Sequence, residues 1–440
     1  MAGTSEQMER ADAREQRRGQ RGRKAVVAAA FGNVLEWYDF AVYGFLATTI
    51  GHHFFPSDSE AAALIATFAV FGVGFIVRPL GGIVIGWIAD RRGRKYALLL
   101  TLFAMAISTT VIGLIPSAAS IGLWAPLLLL VARLVQGFST GGEWGGSTAF
   151  MVEWAPAHRR GFFGSFQQSS VALGLLLGSA VVAVLGGLLG EAAMSDWGWR
   201  IPFLMGAVLG PVGLYIRRDV DESPAYEAAM AAGDTHFEAT AVEPTALSIG
   251  RAARAFGFTT LWTVAYYVML AYMPTFLQQH AGLSSTQSLW SNTIGLCVLV
   301  VAAPLMGALS DRWGRRPLLL GSCAAFFVLA WPLFTLVVAS QAMVIVIAVQ
   351  CLFALMIAMF SGPGPAAIAE MFPTRSRSLW MSTGYSLAVA VFGGFAPLIA
   401  TVLIDGTGMV TSPTWYLMAA ALLSGTVVLQ MKETARSELR

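Results

Sequence analysis

Gly86-Trp87-Ile88-Ala89-Asp90-Arg91-Arg92-Gly93-Arg94-Lys95 returns 221 residues later as Gly307-Ala308-Leu309-Ser310-Asp311-Arg312-Trp313-Gly314-Arg315-Arg316. A weaker echo pairs Glu153, Pro156, Arg159 and Arg160 with Glu370, Pro373, Arg375 and Arg377, at an offset of 217. Two signals at nearly one offset indicate a duplicated unit. Repeats of this kind belong to transporters that rock one half against the other around a central site.

The rest of the chain fits a membrane. Of 440 residues, 56% are hydrophobic and 12% charged, against about 25% charged in a soluble domain. Too little polar surface remains to cover a soluble protein of this size, so lipid is its solvent. A net charge of +3 gives no support for nucleic-acid binding. Cys297, Cys323 and Cys351 lie in apolar runs and read as small core residues. The five histidines fall in or near loops. No metal-spaced cluster and no phosphate-binding Gly-x-x-x-x-Gly-Lys loop occurs, so neither an enzyme nor a nucleotide-driven pump is expected. No cofactor and no metal is expected.

A helix needs about 20 apolar residues to cross the hydrocarbon. Twelve runs qualify, near 25–51, 61–89, 96–116, 122–152, 161–189, 198–216, 252–279, 289–310, 318–339, 342–369, 378–404 and 412–431. Of the 28 basic residues, 25 lie in the tails or in loops on one side of a twelve-span chain. The other side has Arg200, and Arg78 and Arg133 are inside spans. This positive-inside bias puts both termini in the cytoplasm and checks the span count. The expected layout is an N-terminal tail at 1–24 and six-helix halves at 25–216 and 252–431. A linker at 217–251 and a C-terminal tail at 432–440 complete it. The N-terminal tail has no apolar core and does not read as a signal peptide.

The doubled Gly-x-x-x-Asp-Arg-x-Gly-Arg signature resembles the major facilitator superfamily. Finer motifs resemble its metabolite:proton symporter family. They are Glu36-Trp37-Tyr38-Asp39-Phe40 with Tyr43-Gly44-Phe45, Arg78-Pro79-Leu80-Gly81-Gly82, and Arg133 with Gln136-Gly137-Phe138 and Gly141-Gly142-Glu143. Trp197-Gly198-Trp199-Arg200-Ile201-Pro202-Phe203 and Glu370-Met371-Phe372-Pro373 complete the set. The resemblance implies an all-α fold of twelve transmembrane helices in two pseudo-symmetric halves. It implies proton-coupled uptake of citrate, α-ketoglutarate, shikimate, proline, betaine or a related solute, in a bacterial inner membrane. The expected partners are a small-molecule substrate, a proton and the bilayer, with a monomer as the functional unit. Osmolyte symporters of the family can carry a C-terminal coiled coil. This chain ends about nine residues after its last span without heptads. A di- or tricarboxylate is therefore favoured over a zwitterionic osmolyte. Helix 5 lacks the proline-containing motif of drug exporters, which favours import over a drug/proton antiporter. A transporter-like sensor is a further alternative.

Ionisable groups inside a span are costly, about 2.5–3.5 kcal/mol each on insertion scales, and mark function by default. Glu36, Asp39, Arg78, Arg133 and Glu143 are the deepest. On the fourth span Arg133, Gln136, Thr140, Glu143 and Ser147 share about 80° of arc. Asn33, Glu36, Asp39 and Tyr43 make a second stripe on the first span. Low dielectric favours a neutral carboxyl and a nearby guanidinium favours a charged one. Asp39, Glu36, Arg133 and Glu143 are thus candidates for proton coupling; a static buried ion pair is the plain alternative. Asp39 and Arg133 also match the helix 1 Asp and helix 4 Arg that pair in sugar porters. Arg78, Arg133, Gln136, Gln168, Tyr43, Tyr266, Asn292 and Tyr385 are candidate substrate contacts, Gln168 because sugar porters place a sugar-contacting Gln there. Candidate gating residues are Asp90, Arg94, Asp311, Arg315, Glu153, Arg160 and Glu370, with Gly362 and Pro363 as a break within the tenth span.

Overall fold

The computed structural model describes residues 32–92, 94–141, 144, 148, 151–152, 155–208, 210–212, 245–340, 342–372 and 377–435. Among the described residues each of the twelve apolar runs is helical, and no strand occurs. The first span runs through 32–45 and Ala47–Phe54, and the second through Glu60–Ile76 and Arg78–Arg92. The third is Arg94–Leu114, the fourth begins with Trp124–Ser139, the fifth is Arg160–Ala193 and the sixth opens at Arg200–Leu204. In the second half, Ser285–Trp313, Arg315–Ser340 and Pro413–Gln430 form the eighth, ninth and twelfth spans. Seven helices among the described residues are long and apolar enough to cross a membrane by themselves. Shorter apolar helices lie at 99–114, 124–139 and 200–212.

The remaining three spans are interrupted where proline or glycine interrupts the sequence. The tenth stops at Ser361 and resumes over Gly364–Glu370, with Gly362 and Pro363 between. The seventh passes from Thr245–Tyr266 through a π-helical stretch, Tyr267–Tyr272, into Met273–His280. The eleventh has the same form, with π-helical Val389–Gly393 before Ala396–Thr407. Pro274 has no N–H for the carbonyl of Leu270 one turn before it, and the Asn292 amide donates to that carbonyl at 3.2 Å. The seventh span starts seven residues before the expected 252. Hydropathy reads the stretch of a helix that lies in the hydrocarbon, and here the helix continues outward through exposed Ile249 and Gly250.

The fifth span packs along the eighth, and the second against the eleventh, so these four helices join the halves. Within the first half, the second and fourth spans cross backbone to backbone. A Cβ on Gly137 would run into the carbonyl of Gly74, and one on Gly141 into that of Arg78. Only glycine permits this approach. The two spans run parallel, so Arg78, one turn beyond Gly74, and Arg133, one turn before Gly137, leave the backbone about two turns apart, and their guanidinium groups converge on the ring of Phe40.

Candidate functional site

Four charged side chains meet inside the first half, none more than 6% exposed. Glu36 and Asp39 come from the first span, Arg78 from the second and Arg133 from the fourth. Glu36 lies 3.3 Å from the Arg78 guanidinium. Phe40, one turn beyond Glu36, stands between the two cations. The Arg78 guanidinium is 4.8 Å from its ring centre and that of Arg133 is 4.7 Å away. Phe75 covers Arg78 at 4.3 Å, while Tyr43 and Phe71 cover Arg133 at 4.3 and 5.0 Å. Such contacts contribute about 0.5–1 kcal/mol at exposed sites and about 2 kcal/mol or more once desolvated.

Arg133 and Asp39 are connected through two other side chains. Arg133 Nη1 donates to Gln136 Oε1 at 2.8 Å, and Gln136 Nε2 donates to the Thr109 hydroxyl at 2.7 Å. Thr109 donates to Asp39 Oδ2 at 2.6 Å. Among the described residues Arg133 Nε and Nη2 have no hydrogen-bond partner, although the residue is 1% exposed. Tyr43 points its hydroxyl to the carbonyl of Thr67 at 3.0 Å and presents its ring to Arg133. Asn33, predicted on the same stripe as Glu36, ties the first span to Ser170 of the fifth at 2.8 Å.

Beside the cluster, between the halves, lie two cavities of about 10 Å³ each, room for a single water. Trp37, Tyr266 and Tyr267 line both. Gln168, Trp262 and Tyr385 complete the first, and Phe40 and Phe71 bring the second up to the cations. Tyr385 stacks on Trp144 at 3.4 Å. Gln168, Tyr266 and Tyr385 therefore share one aromatic wall, while the Asn292 NH2 donates to the backbone of the seventh span.

At the end that carries the basic loops, the second copy of the repeated motif clasps the first half. Asp311 accepts from the backbone N–H groups of Gly161 and Phe162, both at 2.9 Å, at the start of the fifth span. Arg315 donates to Asp311 at 2.7 Å and to Glu370 at 3.3 Å, and Arg160 lies within electrostatic reach of Glu370. Gly362 packs so closely on the eighth span that a Cβ would meet the carbonyl of Ala303. Pro363 follows at the break. At the opposite end Gln279 donates to Glu60 at 3.2 Å, and Phe68 packs edge-on against Tyr272. Contacts between the halves thus cross both ends of the polar interior.

Glu143 and Glu153 lie outside the described residues, as do the side chains of Asp90 and Arg94. Among the described residues no group of three or more His, Cys, Asp or Glu is placed to hold a metal. Sequence reasoning missed Thr109, Phe40, Phe71 and Phe75. A threonine in an apolar helix carries no signal of its own. The aromatic residues did carry one: Phe71 and Phe75 repeat at four-residue spacing, in phase with Arg78.

The chain matches the family model described as Major Facilitator Superfamily over residues 29–348 and 285–438. It is 36% identical over 426 residues to a proline/betaine transporter of Escherichia coli, covering 95% of this chain and 85% of that protein. It is 39% identical over 405 residues to a citrate-proton symporter of Klebsiella pneumoniae, covering 90% and 89%. Among solved structures, the proton:xylose symporter XylE bound to 6-bromo-6-deoxy-D-glucose superposes with a TM-score of 0.75 at 19% identity, over 96% of this chain and 98% of that one. An inward-open form of XylE from E. coli gives 0.72 at 20% identity, over 94% and 97%.

Proposed function

For a chain that belongs to the major facilitator superfamily, we propose proton-coupled uptake of a small carboxylate-bearing metabolite by alternating access. The observation that carries this is Arg133. A fully buried guanidinium keeps two donor nitrogens without hydrogen-bond partners among the described residues and faces aromatic rings. Its planar fork matches a carboxylate bidentately. A substrate carboxylate there completes the charge that Asp39 supplies from the far side of Gln136 and Thr109. Asp39 is the proton carrier, since a carboxyl at this depth is held neutral or charged by its partners. Glu36 and Arg78 form a balanced pair that shapes the site. Gln168, Tyr266 and Tyr385 enclose the body of the substrate when the cavities widen. Asp311, Arg315 and Glu370 lock the cytoplasmic side, and their release opens it inward. The reading places the chain in a bacterial inner membrane, as a monomer with both termini in the cytoplasm.

The aromatic cavity supports a second reading. Trp37, Trp262, Tyr266, Tyr267 and Tyr385 offer π faces to a quaternary or secondary ammonium, while Arg133 takes the carboxylate of the same zwitterion. Betaine and proline fit that description.

Reconstituted protein under an inward proton gradient separates the two. Uptake of labelled citrate, α-ketoglutarate, shikimate and betaine is followed for wild type and Asp39→Asn. Gradient-driven uptake of one anionic carboxylate, uncoupled by Asp39→Asn while exchange persists, supports the first reading. Uptake of betaine alone selects the second, and uptake of none defeats both.

A further inference from the structure

We propose that Thr109 and Gln136 form a reversible relay: when Asp39 takes a proton, the relay turns over and unties Arg133 for the substrate carboxylate. The inference rests on the reading of the chain as a proton-coupled carboxylate importer and deepens it.

The direction of the observed chain follows from donor and acceptor counts. An ionised carboxylate only accepts, so the single hydroxyl proton of Thr109 is spent on Asp39 Oδ2. Thr109 must then accept from Gln136, which turns the amide NH2 toward Thr109 and the amide oxygen toward Arg133. Every member of the chain is buried, so water does not step in as an easy substitute.

A proton arriving from the outer solution on Asp39 Oδ2 reverses the logic. The acid is now the donor, and the acceptor in reach is Thr109 Oγ1 at 2.6 Å. The Thr109 proton needs a new acceptor. Among the described residues Thr109 bonds to Asp39 and Gln136 alone, so the new acceptor is the Gln136 amide oxygen. That requires the amide to rotate by about half a turn, which places NH2 against the Arg133 guanidinium. Two donors cannot pair, so Arg133 Nη1 is released beside Nε and Nη2, which already lack hydrogen-bond partners among the described residues. The fork is then open to a carboxylate on all sides. By reciprocity, a carboxylate that engages Nη1 displaces the amide oxygen and favours the protonated Asp39. The proton leaves to the cytoplasm by the reverse turn after the substrate departs.

Among the described residues, other charged and titratable groups face this relay. They are Glu36, Tyr38 and Tyr43 on the first span, Arg78 on the second and Tyr267 on the seventh. The third span faces it with Thr109. Arg200 of the sixth is held away by the carbonyls of Gly113 and Ile115, at 2.9 and 2.8 Å. Glu36 and Arg78 neutralise each other, which leaves Asp39 and Arg133 as the responsive pair.

Thr109→Val keeps the shape and deletes the hydroxyl; Thr109→Ser keeps the hydroxyl. Carboxylate uptake and counterflow exchange are measured in proteoliposomes, with thermal stability as a folding check. In wild type the apparent KM for the carboxylate falls about fivefold or more between about pH 8 and about pH 6. In Thr109→Val the same change shrinks below about twofold, exchange at equal pH persists, and Thr109→Ser restores the dependence. A Thr109→Val protein with the full wild-type pH dependence overturns the relay, as does a folded Thr109→Ser protein that has lost it. A wild type with no proton-linked carboxylate uptake defeats the underlying reading, and the relay with it.

Discussion

Asp311, at the end of the eighth span, holds the backbone N–H of Gly161, at the start of the fifth, at 2.9 Å. The two residues belong to different halves of the duplicated chain. A carboxylate on the first free N–H groups of a helix is a capping interaction, here made between halves. It joins them at the cytoplasmic end of the proposed pathway.

Asp311→Ala therefore loosens the closed cytoplasmic side. Loss of a cap costs about 0.5–2 kcal/mol, enough to raise the inward-open population severalfold. The measurement is labelling of Ser165→Cys, at the Gly307 contact, by an impermeant thiol reagent from the cytoplasmic side. Labelling is expected to accelerate in Asp311→Ala, and an unchanged rate removes Asp311 from the gate.

The crossing of the second and fourth spans leaves no room for a side chain. Gly137→Val drives two methyl groups into the Gly74 backbone, and overpacking of this kind costs about 1–3 kcal/mol or more. The melting temperature in detergent is expected to fall, and uptake to fall with it because Arg78 and Arg133 move apart. Gly187→Ala, where a Cβ meets nothing within 4 Å, is the matched control and keeps both.

The spans and the loop charges were legible because hydropathy and positive-inside bias are properties of the sequence taken segment by segment. Glu36, Asp39, Arg78 and Arg133 were legible for the same reason: a charge inside an apolar run stands out without knowledge of its neighbours. Their pairing was not, because it depends on how four helices rotate against one another. The sequence suggested Asp39 beside Arg133, and the structure inserts Thr109 and Gln136 between them. Asn292 looked like a substrate contact, yet its amide serves the Leu270 carbonyl that Pro274 leaves free. Polar residues in membrane helices answer to broken backbone as well as to substrate, and composition does not distinguish the two.

Charge alone does not explain the choice of arginine at position 133. Three aromatic rings lie within 5.0 Å of its guanidinium, and Gln136 binds one edge of its fork. Arg133→Lys keeps the charge and loses the plane and the bidentate geometry. The KM for the transported carboxylate is expected to rise by about tenfold or more, with the protein still folded and monodisperse. A lysine variant with unchanged KM would mean that position 133 acts as a point charge and does not grip a carboxylate.

Glu433 and Thr434, after the last span, dock on the Arg315 and Glu370 cluster. Thr434 donates to Glu370 Oε2 at 2.5 Å. Glu433 accepts from the backbone N–H groups of Arg315 and Arg316, at 2.8 and 3.0 Å. It therefore caps the ninth span, where Arg315 also reaches Asp311 and Glu370. Burial pushes the Glu433 carboxyl upward, but the N–H groups of Arg315, Ala435, Arg316 and Thr434 outweigh it and hold the group below the ordinary glutamate range. A depressed folded value contributes stability above the unfolded value, about 4.3, and that contribution is lost as pH falls through the folded value. Glu433→Gln is thus expected to melt below wild type at neutral pH, with the gap closing under acid conditions below about pH 4. Melting curves of both proteins across that range make the test. A gap that stays constant with pH would show that the tail docks through shape and Thr434 alone, with no part for the Glu433 charge.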